Sequence, residues 1–307
     1  MSVDNDDNET DTTSSCCASC GISENDGVGL KKCTACYLVR YCGTKCQRQH
    51  WSKHKRECKK RAAELDEILF KQPESTHLGD CPICLIPIPL GYYEYSVTGC
   101  CLQYVCDGCN YANQLREIEA KQESKCPFCR EPYLSAPEEI EKLQLMKRVK
   151  ANDPVALHEA GKKCCEKGDY KHGFEYLTRA VELGNLRAHY DLSIMYRKGN
   201  GVEKDEKKNV YHLGQAAIDG HLEARCQLGA YEGTKGNYDR AAKHFIIGAK
   251  LGDDNSLESV KKLYQCEIVS KEDFAAALRA HQAAVNETKS PHREAAKRAS
   301  RDLKVHR

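Results

Sequence analysis

Long apolar segments and a large excess of one charge are both missing from this sequence of 307 residues. No stretch approaches the roughly 18 to 20 apolar residues that a membrane-spanning helix needs, so no membrane partner is expected. Lys and Arg together number 47, Asp and Glu together number 45, and the formal net charge is +2. Proteins that bind nucleic acid usually present a strongly basic surface. Nucleic acid is therefore not among the expected partners.

Several short catalytic motifs are missing as well. The sequence has no glycine-rich phosphate-binding loop, no Gly-x-Ser-x-Gly elbow and no His-Glu-x-x-His pair. The four cysteines of the C-terminal half lie at helical positions, where a buried structural thiol is far commoner than a nucleophile; they are Cys164, Cys165, Cys226 and Cys266. We therefore predict no catalytic side chain in this chain.

Cysteine, in contrast, is abundant, and its distribution is uneven. The chain has 20 cysteines, and 16 of them precede residue 130. With no export signal recognisable in the acidic N-terminal segment, we expect the protein in the cytoplasm or the nucleus. Paired thiols in a reducing compartment are usually metal ligands rather than disulfides. A mass of 34.5 kDa suggests two or three domains, so small zinc modules are expected beside something larger.

The first cysteine group consists of four closely spaced pairs of zinc-type ligands. The eight side chains are Cys17, Cys20, Cys33, Cys36, Cys42, Cys46, His54 and Cys58. Eight such ligands close two tetrahedral zinc sites. Their order, with Tyr41 before the fifth ligand and His50 and Trp51 before the seventh, resembles the MYND zinc finger. The resemblance implies interleaved sites, with Cys17, Cys20, Cys42 and Cys46 on one zinc and Cys33, Cys36, His54 and Cys58 on the other.

Two positions in this finger leave alternatives open. Cys16 competes with its neighbour in the first pair, and His50 competes with His54, although the ligand spacing favours the assignment above. In MYND fingers that bind proline-rich peptides, a Gln after the sixth ligand and a Trp four residues later line the groove. Gln47 and Trp51 occupy those positions, so the resemblance implies a proline-rich partner. The alternative is that the only Trp of the chain simply packs the finger.

The second cysteine group again supplies eight ligands. They are Cys81, Cys84, Cys100, Cys101, Cys106, Cys109, Cys126 and Cys129. The outer pairs, Cys-Pro-Ile-Cys and Cys-Pro-Phe-Cys-Arg, resemble the RING finger. That resemblance implies one zinc on Cys81, Cys84, Cys106 and Cys109 and another on Cys100, Cys101, Cys126 and Cys129. Gln103 stands where the common RING pattern has a His, so adjacent Cys100 and Cys101 match an all-cysteine variant. About four zinc ions per chain are expected in total.

A RING finger implies a ubiquitin ligase that binds a ubiquitin-conjugating enzyme. By that resemblance Ile83 and Pro127 would form an apolar docking patch, and Arg130 would contact both the enzyme and ubiquitin. The alternatives are that Ile83 packs its zinc loop and that Arg130 is an ordinary surface charge. The competing function is an adaptor that only brings protein partners together.

The C-terminal half shows helical periodicity and repeats itself. Gly184, Gly220 and Gly252 recur after 36 and then 32 residues, each after a helical segment and before another. A glycine at this position is typical of a helix C-terminus, and two-helix units of this length stack into a solenoid. The segment from Ala188 to Val202 resembles the SEL-1-like repeat, a relative of the tetratricopeptide repeat.

The predicted fold class is therefore two small zinc modules, MYND and RING-like, followed by an all-α solenoid of SEL-1-like repeats. The predicted boundaries are a disordered acidic segment at 1–15, the MYND finger at 16–60, a helical linker at 61–78, the RING-type finger at 79–133, a linker helix at 134–152, repeats at 153–286 and a basic tail at 287–307. We expect that tail to be a frayed, solvated helix.

Overall fold

The structure is a computed structural model that describes residues 15–33, 35–91, 94–132 and 137–305, apart from the side chains of 137–142 and 302–305. Most of the predicted disordered segment, 1–14, lies outside this range. The chain divides into two compact units, Met1–Leu69 and Phe70–Arg307, which are described one at a time. In the described residues no helix combines the length and the apolar character needed to cross a membrane.

The first unit is a small module built on metal-ligand loops rather than on an apolar core. It contains a short 3₁₀ helix at Glu24–Asp26, the antiparallel strands β1 (Lys31–Lys32) and β2 (Arg40–Tyr41), and the long helix α1 (Thr44–Phe70). Only His54 and Cys58 of α1 are buried. The buried cluster consists of the ring of Tyr41 and four cysteines, so this unit has little apolar surface to bury without a metal.

The second unit opens with the module of the second cysteine group, which we call the RING-like module after its sequence resemblance. Its antiparallel strands β3 (Tyr95–Val97) and β4 (Tyr104–Cys106) lead directly into helix α2 (Asp107–Glu119). Buried around them are Leu78, Ile88 and Val105, together with two cysteines. Cys106, the last residue of β4, and Cys109 of α2 are the two ligands of the second cysteine group that these elements carry.

Helix pairs make up the rest of the second unit. The helices are α3 (Pro137–Lys150), α4 (Pro154–Glu166), α5 (Tyr170–Glu182), α6 (Ala188–Lys198), α7 (Glu206–Ile218), α8 (Leu222–Thr234), α9 (Tyr238–Lys250), α10 (Asp254–Gln265), α11 (Lys271–Glu287) and α12 (Pro291–Val305). Four of them, α4, α5, α7 and α10, begin at an Asp whose carboxylate accepts a backbone N–H of the first turn. The predicted all-α solenoid is confirmed.

The repeated glycines end helices, as predicted. Gly184, Gly220 and Gly252 follow α5, α7 and α9, with φ values of 88°, 79° and 92°. In each case the glycine N–H and the next N–H bond back to carbonyls of the last helical turn. Glycine reaches this left-handed conformation without the steric cost that a Cβ atom brings.

The solenoid and the RING-like module share buried surface within the second unit. The first solenoid core contains Leu157, Leu177 and Leu192, and Leu145 of α3 joins it. Leu102, from the loop between β3 and β4, belongs to the same cluster. The RING-like module is therefore packed onto the repeats and does not stand apart from them.

The prediction of a frayed, solvated C-terminal helix is wrong. Helix α12 packs against α2, with Arg293 only 3% exposed and Ala296 only 6% exposed. Both residues lie on one face because they are three positions apart. The basic composition of this segment suggested solvation. The local sequence does not reveal that α2 offers a packing surface and that Cys84, Ile86 and Pro87 offer hydrogen-bond acceptors to this helix.

Candidate zinc centres and interaction surfaces

Sixteen cysteine and histidine side chains form four groups of four, and within each group the ligand atoms lie within 4.8 Å of one another. The groups are Cys17, Cys20, Cys42 and Cys46; Cys33, Cys36, His54 and Cys58; Cys81, Cys84, Cys106 and Cys109; and Cys100, Cys101, Cys126 and Cys129. These are the groupings that the two resemblances imply. In both modules the groups interleave along the chain, so each ion would join segments that are distant in sequence.

One loop geometry recurs at the first cysteine of four of the five Cys-x-x-Cys pairs; in the fifth, Cys106 and Cys109 lie at the start of α2 instead. The carbonyl of that cysteine accepts the N–H of the residue four positions later, and its own N–H returns to a carbonyl beyond the loop. The fourth residue takes a left-handed conformation in each case, with φ between 55° and 75°; it is Gly21, Tyr37, Leu85 or Arg130. In these four pairs the spacing of two residues therefore closes a tight loop that brings both sulfurs into one ligand group.

The first cysteine of each of these four loops has a lowered pKa, which favours its thiolate form. At Cys17, burial opposes ionisation, but backbone N–H groups, including those of Cys20 and Cys42, lower its pKa to about 6. At Cys126, burial is likewise outweighed by N–H groups of the loop, and its pKa is about 7. At Cys81, the nearby Cys106 thiol is the main cause of a pKa lowered to about 4. A deprotonated sulfur is the form that binds a metal ion.

His54 completes the only group that is not all cysteine. Its Nε2 lies 3.3 Å from the sulfur of Cys36. Burial, with a smaller contribution from His50, lowers the pKa of His54, which favours the neutral imidazole that ligates metals.

The two competing positions lie outside the groups. Cys16 is not in a group of ligand atoms, and the Nδ1 of His50 instead pairs with the hydroxyl of Tyr41 at 3.0 Å. His50 is therefore a half-buried partner of Tyr41 and not a member of a ligand group.

The loop at Cys100 and Cys101 explains how adjacent cysteines reach one group. Here Thr98 occupies the place of a first cysteine: its carbonyl accepts the N–H of Leu102, its N–H donates to the carbonyl of Gln103, and Leu102 has a φ of 56°. The Thr98 hydroxyl lies 3.0 Å from the sulfur of Cys101. Sequence reasoning missed Thr98, although its spacing to Cys101 equals that of the other loops.

All four donor sets fit zinc. Four thiolates, or three thiolates and one imidazole, are the usual ligands of closed tetrahedral zinc sites. When bound, zinc would cross-link the loops and neutralise part of the thiolate charge. A site with four protein ligands has no open position for an activated water, so the chemistry that it supports is structural.

The structure places the three predicted contact residues of the RING-like module in different environments. Ile83 is 41% exposed on the first zinc loop. Pro127 is buried, and the docking patch that it was expected to form with Ile83 stays a prediction. Burial follows from its position inside the second loop, next to buried Cys126, and the exposed apolar residue of that loop is Phe128, at 45%.

Arg130 is exposed but not isolated. Its Nη1 donates to the side-chain oxygen of Asn113 on α2 at 2.8 Å, and Arg116 donates to the same oxygen at 2.9 Å. The Asn113 amide donates in turn to Glu117 and to the carbonyl of Lys125. This network, which sequence reasoning did not find, ties the second zinc loop to α2.

Trp51 and Gln47 both lie on α1 of the first unit. Trp51 is 41% exposed, and its indole meets the ring of His54 edge-on at a centroid distance of 6.3 Å. Gln47 is half-buried. The indole therefore packs partly on a ligand residue and leaves a large part of its surface to solvent.

Comparison with known protein families covers the first unit and most of the repeats. The family model described as the MYND finger matches residues 17–58, and the model described as the Sel1 repeat matches 155–185, 186–221 and 222–253. The chain contains a MYND finger and three Sel1 repeats. The matched repeats correspond to α4 through α9, and the pair α10 and α11 follows them.

Individual similar proteins share only parts of the chain. The histone-lysine N-methyltransferase ASHR1 of Arabidopsis thaliana is 57% identical over 30 residues, which are 10% of this chain and 6% of that protein. The c5321 protective antigen of uropathogenic Escherichia coli, which displays an SLR fold, is 24% identical over 48% of this chain and 33% of that chain, with a TM-score of 0.40. A Sel1 repeat protein from Oxalobacter formigenes is 20% identical over 59% and 72%, with a TM-score of 0.42.

MYND fingers and Sel1 repeats generally mediate contacts between proteins. Together with the four ligand groups, they identify a zinc-binding protein-interaction protein. The finer activity depends on what the RING-like module and the MYND finger bind.

Proposed function

We propose that the sixteen grouped side chains bind four zinc ions and that the second module is a RING-type ubiquitin ligase, whose substrates are recruited by the MYND finger and the Sel1 repeats. The observation that carries the proposal is the interleaving of two all-cysteine groups around α2, with apolar side chains exposed on both zinc loops. Such a module transfers nothing itself. It accelerates ubiquitin transfer by positioning the charged conjugating enzyme.

Ile83 is the residue that we expect to bind the conjugating enzyme. We expect Ile83→Ala to lose enzyme binding and autoubiquitination but to keep its zinc. An exposed apolar side chain is buried only when the enzyme binds, so its truncation weakens the complex and not the fold. Ile68, on α1, is a matched control of the same type, at 42% exposure against 41%. Measurement of autoubiquitination with a panel of conjugating enzymes decides the matter, and an inert wild-type protein would refute the ligase.

Arg130 offers a second test, which separates a direct contact from a supporting one. A guanidinium retains free N–H donors when one of them bonds to Asn113, so it can still reach a second partner. We expect Arg130→Ala to preserve enzyme binding and slow ubiquitin discharge. Arg116→Ala is the control, because Arg116 is also exposed and donates to the same Asn113 oxygen. Equal effects of the two substitutions would mean that Arg130 only supports the loop.

For the MYND finger, we propose a proline-rich peptide as ligand, bound by Trp51 and Gln47. The exposed face of the indole supports this, since an aromatic ring stacks well on proline rings. Trp51 is the only Trp of the chain, so its fluorescence reports binding directly. We expect Trp51→Ala to abolish capture of proline-rich peptides without releasing zinc, whereas Leu38→Ala, at a residue of similar exposure in the same finger, should have no effect. Unchanged fluorescence with a broad peptide library contradicts the proposal.

An adaptor without ligase activity is the second candidate. The burial of Pro127 favours it, because that burial removes one of the apolar contacts expected of an active RING. The adaptor predicts partner binding by the repeats and the MYND finger in the absence of ubiquitin transfer. The same autoubiquitination panel distinguishes the two candidates.

A further inference from the structure

Arg293 of α12 reaches into the first zinc loop of the RING-like module. Its Nη1 donates to the carbonyl of Pro87 at 2.7 Å, and its Nη2 donates to the carbonyl of Ile86 at 3.0 Å. The same Nη2 lies 3.4 Å from the sulfur of Cys84. A further bond from Nη1 to the carbonyl of Thr288 holds the guanidinium at the start of its own helix. One side chain thus joins positions more than 200 residues apart.

The positive charge of the buried Arg293 guanidinium needs a negative partner, and the ligand group of Cys84 can provide one. Arg293 is 3% exposed, and an ionised group is costly to bury unless an opposite charge compensates it. Three of its four acceptors are neutral carbonyls, so the sulfur of Cys84 is the acceptor that can be charged. Four thiolates around a divalent zinc ion leave an excess of negative charge, which a buried guanidinium would offset.

The position of Arg293 is fixed by helix packing as well as by its own bonds. A Cβ atom on Gly108 of α2 would lie 2.7 Å from the Arg293 backbone N and Cγ atoms, so the two helices touch at this point. Lys297, one turn further along α12, forms an ion pair with Glu94 at 3.0 Å. Removal of the guanidinium therefore need not undock the helix.

We propose that Arg293 is an outer-sphere residue of the zinc site formed by Cys81, Cys84, Cys106 and Cys109: it donates a hydrogen bond to the Cys84 sulfur and holds the loop through the carbonyls of Ile86 and Pro87. This rests on zinc binding by the second module and is independent of ligase activity. Residues that hydrogen-bond to metal ligands support metal binding in proteins generally, and loss of such an outer-sphere partner weakens metal binding about 10-fold to 100-fold.

The test uses the full chain with cadmium in place of zinc and reads each site by cadmium NMR. We expect four signals, and we expect Arg293→Gln to shift one of the all-cysteine signals, because an N–H···S bond changes the electron density on the sulfur. In the zinc protein, chelator-driven release of one ion of the four should become about 10-fold to 100-fold easier. Arg298→Gln is the matched control, since Arg298 is an exposed arginine on the same helix, and it should change neither readout.

Arg293→Lys separates the charge from general packing. Lysine keeps the positive charge and can donate to a thiolate but cannot replace the planar fork, so we expect partial recovery of metal retention. If Arg293→Gln leaves all four cadmium signals and the release curve unchanged, the proposal is wrong. If Arg293→Gln unfolds the module, recovery of the signals by Arg293→Lys supports the proposal, and failure to recover contradicts it.

Discussion

Substitution of Gly220 tests how the RING-like module is held on the repeats. Gly220 has a φ of 79°, and a Cβ atom there would overlap the carbonyl oxygen of Ser75 and come within 3.2 Å of the Thr76 Cα atom. Gly184 occupies the equivalent position one repeat earlier, with a φ of 88° and nothing within 4 Å of a Cβ atom. Gly184 and Gly220 therefore share a left-handed backbone conformation, but only Gly220 has another chain segment packed against it.

The expected magnitudes follow from this difference. Gly184→Ala should cost only the left-handed conformation of an alanine, about 1 kcal/mol. Gly220→Ala should add the displacement of the linker, which breaks the bond from the His77 N–H to the Gly220 carbonyl at 3.2 Å and disturbs the stacking of His77 on His221 at a centroid distance of 4.1 Å. A lost hydrogen bond and a lost ring contact are worth about 1 kcal/mol each, so we expect a total of about 3 kcal/mol.

Urea unfolding of the two variants in saturating zinc, followed by circular dichroism at the helical band, gives the comparison. Proteolysis of the segment around Ser75 and His77 provides a second readout, because a displaced linker should be cleaved sooner in Gly220→Ala than in Gly184→Ala. Equal losses of stability and equal cleavage rates would refute the reasoning, since they would mean that the linker does not rest on the Gly220 turn.

Three further outcomes are expected. Metal analysis should find close to four zinc ions per chain, with one fewer in Cys100→Ser and no change in Cys16→Ser. Thr98→Val should release zinc sooner than wild type in a chelator titration, because the hydroxyl beside the Cys101 sulfur is lost. Burial lowers the pKa of His189 to about 4 and, helped by His189 itself, that of His212 to about 3. Unfolded histidines bind protons near pH 6.5, so the stability that this pair contributes should be complete above that pH and should be lost progressively as the pH falls to about 4. His189→Gln should flatten this slope in acid urea titrations, and a slope unchanged from wild type would contradict the assignment.

The sequence alone determined those features that depend on short spacing. Two cysteines separated by two residues can share an ion in one tight loop, and the structure has that loop at Cys17, Cys33, Cys81 and Cys126. The helical repeats were likewise predictable, because a glycine after a periodic segment ends a helix through its own backbone freedom. Such inferences need only neighbouring residues.

Only the tertiary structure decided the features that join distant segments. The role of Thr98 in bringing Cys101 toward Cys126, the burial of Pro127 and the contact between Arg293 and Cys84 all depend on it. A basic helix has the same composition whether it lies in water or against a thiolate cluster. Which of the two happens depends on the acceptors and charges that packing places opposite it, and those come from residues far away in the chain.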